Sequence, residues 1–301
     1  MWKRKQKYVE NYVLVKRNAK EKAFFTLFGV FAVAYAISVL FPLLWLVMSS
    51  LKDSMEYAQD LQNLDPFKLP TVYKWSNYIE VFSLLKYKNT NYLGMIFNSI
   101  WQIFFSVTTQ LFCVSLFGYV MAKYSFKGKE FLYGMAIFIL TIPIVGNGGA
   151  YFVLINELGL YDNPIQVIAV NLYCFGGNFL VTYACFKNIS WDYAEAVFID
   201  GGGHWTVYFK IMLPMAMPVL STLMITSSIA QWNEYMGVML YYPSFPNVAA
   251  GLYLTSMTIN RSGGPTLYFT GLVISIIPIA LLFLIFSDKL MKNLTVGGLK
   301  G

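Results

Sequence analysis

Long stretches without a charged side chain alternate with short charged segments along this chain of 301 residues. Six stretches contain no Asp, Glu, Lys or Arg and are 23 to 34 residues long: 23–51, 89–122, 131–156, 163–186, 211–233 and 262–287. Each exceeds the roughly 20 residues that a helix needs to cross the hydrocarbon core at about 1.5 Å per residue. The stretches lack the alternation of apolar and polar residues that is typical of a lipid-facing barrel strand. The pattern predicts an all-α integral membrane protein with six transmembrane helices.

A seventh uncharged stretch, 235–260, is not predicted to be a span of its own. Its segment 241–247 contains Pro243 and Pro246 among small polar residues, which is typical of a loop. The part before this loop is predicted to be the end of the fifth span. Within the first span, Pro42 predicts a kink of the kind that membrane helices tolerate because their neighbours satisfy the freed carbonyl.

The composition agrees with a lipid environment and excludes several kinds of site. Apolar and aromatic residues make up 57% of the chain, charged residues only 12%, and the mean hydropathy is +0.54. Cys113, Cys174 and Cys185 all lie in apolar stretches, so neither a disulfide framework nor a zinc cluster is expected. His204 is the single histidine, which argues against a multi-histidine metal enzyme or a haem held by two histidines of this chain.

The distribution of basic residues predicts the orientation in the membrane. With the N-terminus inside, the cytoplasmic segments carry 16 of the 22 Lys and Arg residues. Five of the other six lie in the outer loop 52–88, where five acidic residues offset them. Both termini are therefore expected to be cytoplasmic. The net charge of +7 is explained by this topology and by anionic membrane lipid, and no nucleic acid is expected as a partner.

The chain contains no recognisable energy source of its own. It has no G-x-x-x-x-G-K-[ST] loop for ATP phosphates, because Gly128-Lys129 runs directly into Glu130. Ion-driven transporters keep carboxylates or histidines near the bilayer midplane, and here the spans contain almost none; the exception is Glu234, toward the outer end of the fifth span. A protein that moves a solute without these groups must take its energy from another subunit.

The cytoplasmic connection 187–214 between spans four and five is the most informative segment. Ser190 is a good N-cap, and Asp192 in the first turn complements the helix dipole. Apolar residues at i, i+3 and i+4 then form one face, and Gly201 predicts a left-handed stop. The segment predicts a short amphipathic helix at the inner membrane face. Local features alone favour an ordinary interfacial helix between two spans.

The spacing within this connection resembles a family signature. Glu195-Ala196-Val197, three residues, Gly201, nine residues and then Ile211-x-Leu213-Pro214 are similar to the loop E-A-A-x3-G-x9-I-x-L-P of bacterial ATP-binding-cassette importer permeases. Val197 departs from the second alanine of that pattern. The resemblance continues through 98–100, 117–128, 232–235 and 294–301, and points to the second-subunit type of maltose permease. It covers roughly 24–301.

The resemblance implies a division of the chain and a set of partners. It implies a basic cytoplasmic segment 1–22, a six-helix permease domain 23–290 and a cytoplasmic tail 291–301. The partners are a homologous second permease subunit, an ATPase dimer that binds ATP and Mg, an extracellular solute-binding protein and an oligosaccharide. The bacterial inner membrane is the implied location. No cofactor is expected in this chain, and it is not expected to be an enzyme.

In this family the helix of the connection couples ATP hydrolysis to transport. Carried over by resemblance, four residues would contact the ATPase subunit, and Glu195 and Asp200 would pair with its basic groups. Gly201 would allow close approach, although a plain helix stop also requires glycine. The four contact residues are Ala194, Ala196, Val197 and Phe198.

Polar residues at membrane depth are candidates for a water-lined substrate path, because they are costly there unless they face a cavity or a partner. Interhelical hydrogen bonding is the alternative role for each of them. The outer loops 52–91 and 241–264 are the candidate docking surface for the solute-binding protein, or else plain connectors. The path candidates are Asn147, Asn178, Gln231, Asn233 and Glu234.

Three rival functions are open at this point. A related permease could serve another solute, such as a polyamine or a phosphonate, although a polyamine favours a more acidic cavity than Glu234 alone provides. An integral membrane enzyme would need paired carboxylates, a Ser/His or Cys/His set, or metal ligands near the interface. A passive channel would not need a docking helix.

Overall fold

The computed structural model describes residues 18–142, 146, 148–257 and 264–296, with side chains described up to residue 286. The regular secondary structure of this part of the chain is helical apart from a two-strand hairpin, Lys86–Tyr87 (β1) with Thr90–Asn91 (β2). The helices are α1 Ala19–Ser50, α2 Ser54–Gln62, α3 Asn77–Leu84, α4 Tyr92–Lys123, α5 Lys129–Thr141, α6 Gly148–Glu157, α7 Gln166–Ala169, α8 Gly177–Lys187, α9 Asp192–Ile199, α10 His204–Thr206, α11 Leu213–Trp232, α12 Met236–Tyr241, α13 Val248–Met257 and α14 Pro265–Val296.

Four helices of the described chain are long and apolar enough to cross a membrane: Ala19–Ser50, Tyr92–Lys123, His204–Trp232 and Pro265–Phe286. They correspond to predicted spans one, two, five and six. The third of these joins α10 to α11 through a π-helical stretch, Val207–Met212. Helix α1 continues through Pro42 without a break. The all-α membrane fold is confirmed at this level.

The two remaining uncharged stretches hold shorter helices. Stretch 131–156 is divided between α5 and α6, and stretch 163–186 between α7 and α8. At about 1.5 Å per residue, the 13 residues of α5 and the 11 of α8 are each shorter than the roughly 30 Å hydrocarbon core. Gly146 and Gly176, with φ of +84° and +132°, lie at the two interruptions. Gly146 lies five residues after the end of α5, and Gly176 is the N-cap of α8, so both glycines belong to the connecting segments and do not themselves end α5 or α7.

The chain after α11 differs from the sequence prediction. The first part of stretch 235–260 was predicted to end span five, but the helix stops at Trp232 and α12 is separate. The outer loop predicted over 241–264, as a docking surface or a connector, contains a second helix, α13, which begins at Val248. Asn247 starts it, because its Oδ1 accepts a hydrogen bond from Ala250 N at 2.8 Å.

Helix α4 is the centre of the bundle and packs against α8 and α11. Gly118 makes the α4–α8 contact close: a Cβ at this position would lie 2.5 Å from Thr182 Oγ1 and 3.1 Å from the backbone nitrogen of Tyr183. Thr182 Oγ1 donates to Val114 O at 3.0 Å across the same interface. Phe179 and Val114 are fully buried beside it. The base of the connection to α9 is therefore held by a tight helix pair.

Helix α1 stands at the edge of the bundle. None of its most apolar 18 residues is buried within the chain, whereas Ser49 and Ser50 at its end are. There Thr270 Oγ1 of α14 donates to Ser50 O at 3.2 Å, and Ser54 and Thr266 share a hydrogen bond of 2.8 Å. The greater part of α1 is thus left for lipid or for another protein.

Segment 52–91 folds into a small cap held by a buried ion pair. Lys52 Nζ lies 2.7 Å from Asp60 Oδ2, with side chains only 1% and 4% exposed, and Lys68 Nζ lies 3.6 Å from Asp60 Oδ1. Asn77 Nδ2 donates to the carbonyls of Ser50 and Lys52 at 2.8 and 3.0 Å. The hydrogen bond from Lys52, helped by the nearby positive charges, lowers the pKa of the Asp60 carboxyl despite its burial.

Candidate functional site

The helix predicted in connection 187–214 is present as α9. Asp192 N donates to Ser190 Oγ at 3.3 Å, so Ser190 supports the start of the helix although the cap position itself is Trp191. At the other end, Gly201 N donates to Phe198 O at 3.0 Å and Gly202 N donates to Val197 O at 2.8 Å. This pair of bonds, with φ of +78° at Gly201, is the Schellman arrangement. The left-handed stop at Gly201 is confirmed.

One face of α9 packs onto the chain's own bundle. Ala194 is fully buried, and Val197 and Phe198 are half-buried beside it. Their cluster includes Tyr119 of α4 and Tyr208 of the π-helical stretch. Residues of this chain cover Ala194, so its side chain is not exposed for the predicted ATPase contact. The i, i+3, i+4 pattern correctly marked an apolar face, but that face points inward.

The opposite face of α9 is free within the chain. Glu195, Ala196, Asp200 and Gly201 are exposed, as their predicted role requires. Sequence reasoning missed two further exposed side chains, Tyr193 at 50% and Ile199 at 86% exposure. The sequence could have indicated Ile199, because it is an apolar residue one position after the inward face formed by Ala194, Val197 and Phe198.

Tyr124, just after α4, holds both ends of the α9 segment. Its ring contacts Trp191 and His204, with centroid distances of 5.6 and 5.5 Å, and its Oη lies 2.8 Å from His204 Nδ1. Lys123 Nζ also donates to Ile189 O. Because the residues flanking α9 are fixed to one point of α4, the segment moves with the bundle as a unit.

The glycines after α9 differ in their surroundings. A Cβ at Gly202 would lie 2.5 Å from Val197 Cγ1, so the chain turns too tightly there for a side chain. Gly203 has ordinary extended backbone, with φ of −95°, and open space around it. The following π-helical stretch anchors the turn, since Tyr208 Oη shares a 3.0 Å hydrogen bond with Ser115 of α4.

The predicted path residues divide into two groups. Asn178 Nδ2 of α8 lies 3.4 Å from Ser227 Oγ of α11, which is the interhelical role of the alternative interpretation. Asn233 Nδ2 donates to Ile229 O at 2.8 Å within its own helix, which is neither of the two predicted roles. Gln231 and Glu234 line a common cavity near the end of α11. Asn147 lies outside the described residues.

That cavity has a volume of about 220 Å³ and is bounded by α6, α7, α11 and α12. Gln166 is 1% exposed, and its Oε1 has no hydrogen-bond partner in the described part of the chain; the same is true of Tyr151 Oη. Sequence reasoning missed both, because neither stands in a recognisable motif. The polar side chains around the cavity are Tyr151, Gln166, Asn171, Gln231, Glu234 and Tyr242.

Asp162 holds the loop that closes one side of this cavity. Its backbone N donates to Tyr241 O at 2.7 Å, and its carboxylate accepts from Ser244 N at 2.9 Å and from Ser244 Oγ at 2.6 Å. Asp162 itself has φ of +54°, a conformation that Asp tolerates better than most residues. These three hydrogen bonds, called the Asp162 latch below, hold Tyr241 and Tyr242 beside the cavity.

Among the described residues, no group of three or more His, Cys, Asp and Glu side chains is arranged to hold a metal ion. Cys113, Cys174 and Cys185 are free thiols of intermediate exposure.

Comparison with known proteins gives consistent matches. Residues 115–295 match the family described as binding-protein-dependent transport system inner membrane component. The arabinooligosaccharides transport system permease protein AraQ of Bacillus subtilis is 27% identical, over 90% of this chain and 94% of its own length. The maltodextrin transport system permease protein MdxG of the same species is 25% identical, over 90% and 94%.

A third relative and two solved structures extend the comparison. The diacetylchitobiose uptake system permease protein NgcG of Streptomyces coelicolor is 22% identical, over 88% of this chain and 85% of its own length. A bacterial ABC transporter involved in the import of the acidic polysaccharide alginate has a chain with a TM-score of 0.73 at 20% identity, covering 91% and 99%. A chain of a bacterial alginate ABC transporter in complex with an alginate pentasaccharide-bound periplasmic protein has a TM-score of 0.58 at 13% identity, covering 90% and 96%.

Proposed function

Because the chain belongs to the family of binding-protein-dependent transport system inner membrane components, we propose that it is the permease subunit of an ATP-driven oligosaccharide importer. The names of AraQ, MdxG and NgcG all describe transport or uptake of oligosaccharides or disaccharides, and each matches over most of its length. In this function the chain moves its cargo without chemical change, so it is a transporter subunit and not an enzyme.

The proposed topology has six crossings with both termini on the cytoplasmic side of the bacterial cell membrane. Four long helices support four crossings, and the pairs α5–α6 and α7–α8 supply the other two. The excess of Lys and Arg in the segments that this topology places inside supports the orientation. The proposed division into 1–22, 23–290 and 291–301 follows from it. Residues 1–17 and 297–301 lie outside the described residues.

The proposed mechanism uses α9 as a coupling helix. Its exposed side, with Tyr193, Glu195, Ala196, Ile199 and Asp200, docks on an ATPase subunit, and the two carboxylates pair with basic groups there. Its other side is packed on α4 and on the π-helical stretch, so a push on α9 reaches the bundle. The Schellman turn and the Tyr124 contacts carry this proposal, because they make the segment rigid.

The proposed partners are those of a complete importer. A homologous second permease forms the other half of the path, and an ATPase dimer binds the ATP and Mg, so this chain needs no cofactor. A solute-binding protein docks on loops 52–91 and 241–264, in line with the periplasmic protein bound to one structural neighbour. The tail 291–301 reaches the ATPase dimer.

Gly201 provides the test of this function. Gly201→Val forces a β-branched residue to adopt φ near +78°, which few such residues tolerate, and so deforms the end of α9. Gly203→Val is the matched control, since it adds the same side chain two residues away at an allowed φ with open space. In the importer reconstituted with its partners, we expect Gly201→Val to lower substrate-stimulated ATP hydrolysis about tenfold or more, and Gly203→Val to leave it near wild type.

Membrane insertion of both variants is checked by their yield in the membrane fraction. Equal stimulation in Gly201→Val and wild type would contradict coupling through α9. Uptake of oligosaccharide into vesicles by the purified chain alone would contradict the dependence on an ATPase subunit.

A further inference from the structure

The cavity near the end of α11 holds polar atoms that the chain itself leaves unpaired. Gln166 Oε1 and Tyr151 Oη are buried at its wall with no hydrogen-bond partner in the described residues. Buried polar groups in folded proteins are nearly always hydrogen-bonded, and each exception calls for a missing partner such as a water or a ligand. The Gln166 side chain lies close enough to the Tyr151 hydroxyl to interact with it, so Gln166 Oε1 is the atom that still calls for a partner from the cavity, a water or a ligand.

Other side chains around the cavity also offer hydrogen-bonding atoms to a ligand. Asn171 uses its Nδ2 on Val167 O at 2.8 Å and leaves its amide oxygen available. Glu234 Oε1 accepts from Gly237 N at 2.7 Å, which orients the side chain and leaves Oε2 available. Gln231 faces both from α11. The cavity therefore presents several donors and acceptors at fixed positions, which is the arrangement that orients a small polar ligand.

Aromatic rings form part of the same wall. Tyr151 and Tyr241 meet edge to face with ring centroids 4.8 Å apart, and the Asp162 latch fixes Tyr241 in place. Rigid rings beside hydrogen-bonding groups match a molecule with apolar C–H faces and hydroxyl edges. A sugar ring has both.

We propose that this cavity is a subsite for one neutral sugar ring of the transported oligosaccharide. The proposal rests on the import function given above and adds a substrate class to it. The residues that line the cavity include one carboxylate, Glu234, and neither Lys nor Arg. A uronate would meet a negative charge without a counter-ion, whereas hydroxyl groups pair with amides and phenols at no such cost. The site thus selects neutral over acidic sugars.

The test measures sugar binding to the purified complex of this chain with its second permease and ATPase subunits. Equilibrium dialysis uses a panel of neutral trisaccharides (gluco-, galacto-, arabino- and chito-series), with trigalacturonate as the charged probe. We expect Gln166→Leu and Gln231→Leu each to weaken binding of the neutral probe about five- to tenfold, as one lost hydrogen bond does. Thr255→Val removes a buried, unpaired hydroxyl that is not part of the cavity lining, and should leave binding unchanged.

Glu234→Gln tests whether the ligand is neutral or a cation, because the glutamine oxygen still accepts a hydrogen bond from Gly237 N but the negative charge is gone. Neutral sugar binding should stay within about twofold of wild type, as for a hydrogen bond that is retained. The proposal is overturned if no neutral probe binds, if both leucine variants bind like wild type, if trigalacturonate competes equally, or if Glu234→Gln abolishes binding. ATP-driven uptake by the wild-type importer is measured in parallel. If the wild type takes up sugar but the leucine variants bind it as the wild type does, only the subsite is rejected. If the wild type takes up no sugar, the import function is rejected.

Discussion

Asp60 illustrates how one residue can decide the stability of a whole segment. Its carboxylate is almost completely buried, yet it is paired with the equally buried Lys52 and approached by Lys68. Removing one partner of a buried pair leaves the other charge without compensation, which is far more costly than losing an exposed pair. The cap 52–91 therefore depends on this contact.

The pH dependence of the cap follows from the same pair. The pKa of Asp60 is lowered from its ordinary value of 3.8 by the hydrogen bond from Lys52, so the folded state favours the carboxylate. Its stabilising contribution is complete above pH 3.8 and is lost as the pH falls through the lowered pKa of the folded state. We expect the protease resistance of the cap, measured in detergent, to be constant from about pH 7 to 5 and to fall below about pH 4.

Variants of two aspartates check this assignment. Asp60→Asn should make the cap protease-sensitive already at neutral pH, because Lys52 is left buried without its counter-ion. Asp65→Asn removes an exposed carboxylate of the same segment and should change nothing. Equal resistance of the two variants at neutral pH would mean that the pair does not hold the cap.

Residue-level predictions from sequence succeeded where local chemistry decides. The spacing around Gly201 predicted a left-handed stop, because only the backbone of glycine adopts that conformation freely. The side of α9 that would face the ATPase could not be predicted: Ala194 is covered by Tyr208, which follows α9 through a tight turn that hydropathy does not reveal. Gln231 and Glu234 were found because polar groups are rare near spans, whereas Gln166 belongs to a four-residue helix without a motif.

At the scale of elements, α4 and α8 depend on Gly118 for their close approach. Gly118→Ala places a methyl group 2.5 Å from Thr182 Oγ1, with backbone of α8 immediately behind it. Overpacking of this kind costs about 1–3 kcal/mol, which exceeds the roughly 1 kcal/mol that alanine contributes to a helix interior. We expect a lower thermal midpoint in detergent and weaker retention of the ATPase subunits, because α8 leads directly to α9.

Gly134→Ala in α5 is the matched control, since a Cβ there has no atom within 4 Å. Its midpoint should stay the same or rise slightly through helix propensity. If the thermal midpoint falls equally in both variants, the close α4–α8 contact at Gly118 is not what stabilises the protein.

The elements themselves were predicted unevenly, for a physical reason. Uncharged length identified the stretches of α1, α4, α11 and α14, because crossing a bilayer demands about 20 apolar residues. It could not show that stretches 131–156 and 163–186 are interrupted, since no charge marks the ends of α5 at Thr141 and of α7 at Ala169. The short helix α13 was missed because burial among α4 and α14 holds it, and not a periodic pattern.

At the scale of the whole molecule, the proposed topology places Lys88 outside and both Lys127 and Tyr193 inside. All three side chains are exposed, so a single cysteine at each position can report the side of the membrane. The starting variant lacks Cys113, Cys174 and Cys185. In spheroplasts or protoplasts, whose cytoplasmic membrane is still sealed, a membrane-impermeant maleimide should label Lys88→Cys. In cells that express the chain without the ATPase subunit, it should label Lys127→Cys and Tyr193→Cys only after the membrane is opened. Labelling of Tyr193→Cys in sealed cells would overturn both the orientation and the coupling assignment.

The hydrogen bonds that join the end of α1 and the start of α2 to α14 have a consequence for biosynthesis. They connect residues 212 and 220 positions apart, so the helix that leaves the ribosome early finds its partner only when nearly all of the described chain has been made. Until then Ser54 and the carbonyl of Ser50 lack their contacts with α14. A chain truncated before α14 cannot form these two bonds, and we expect it to be degraded faster than the full chain.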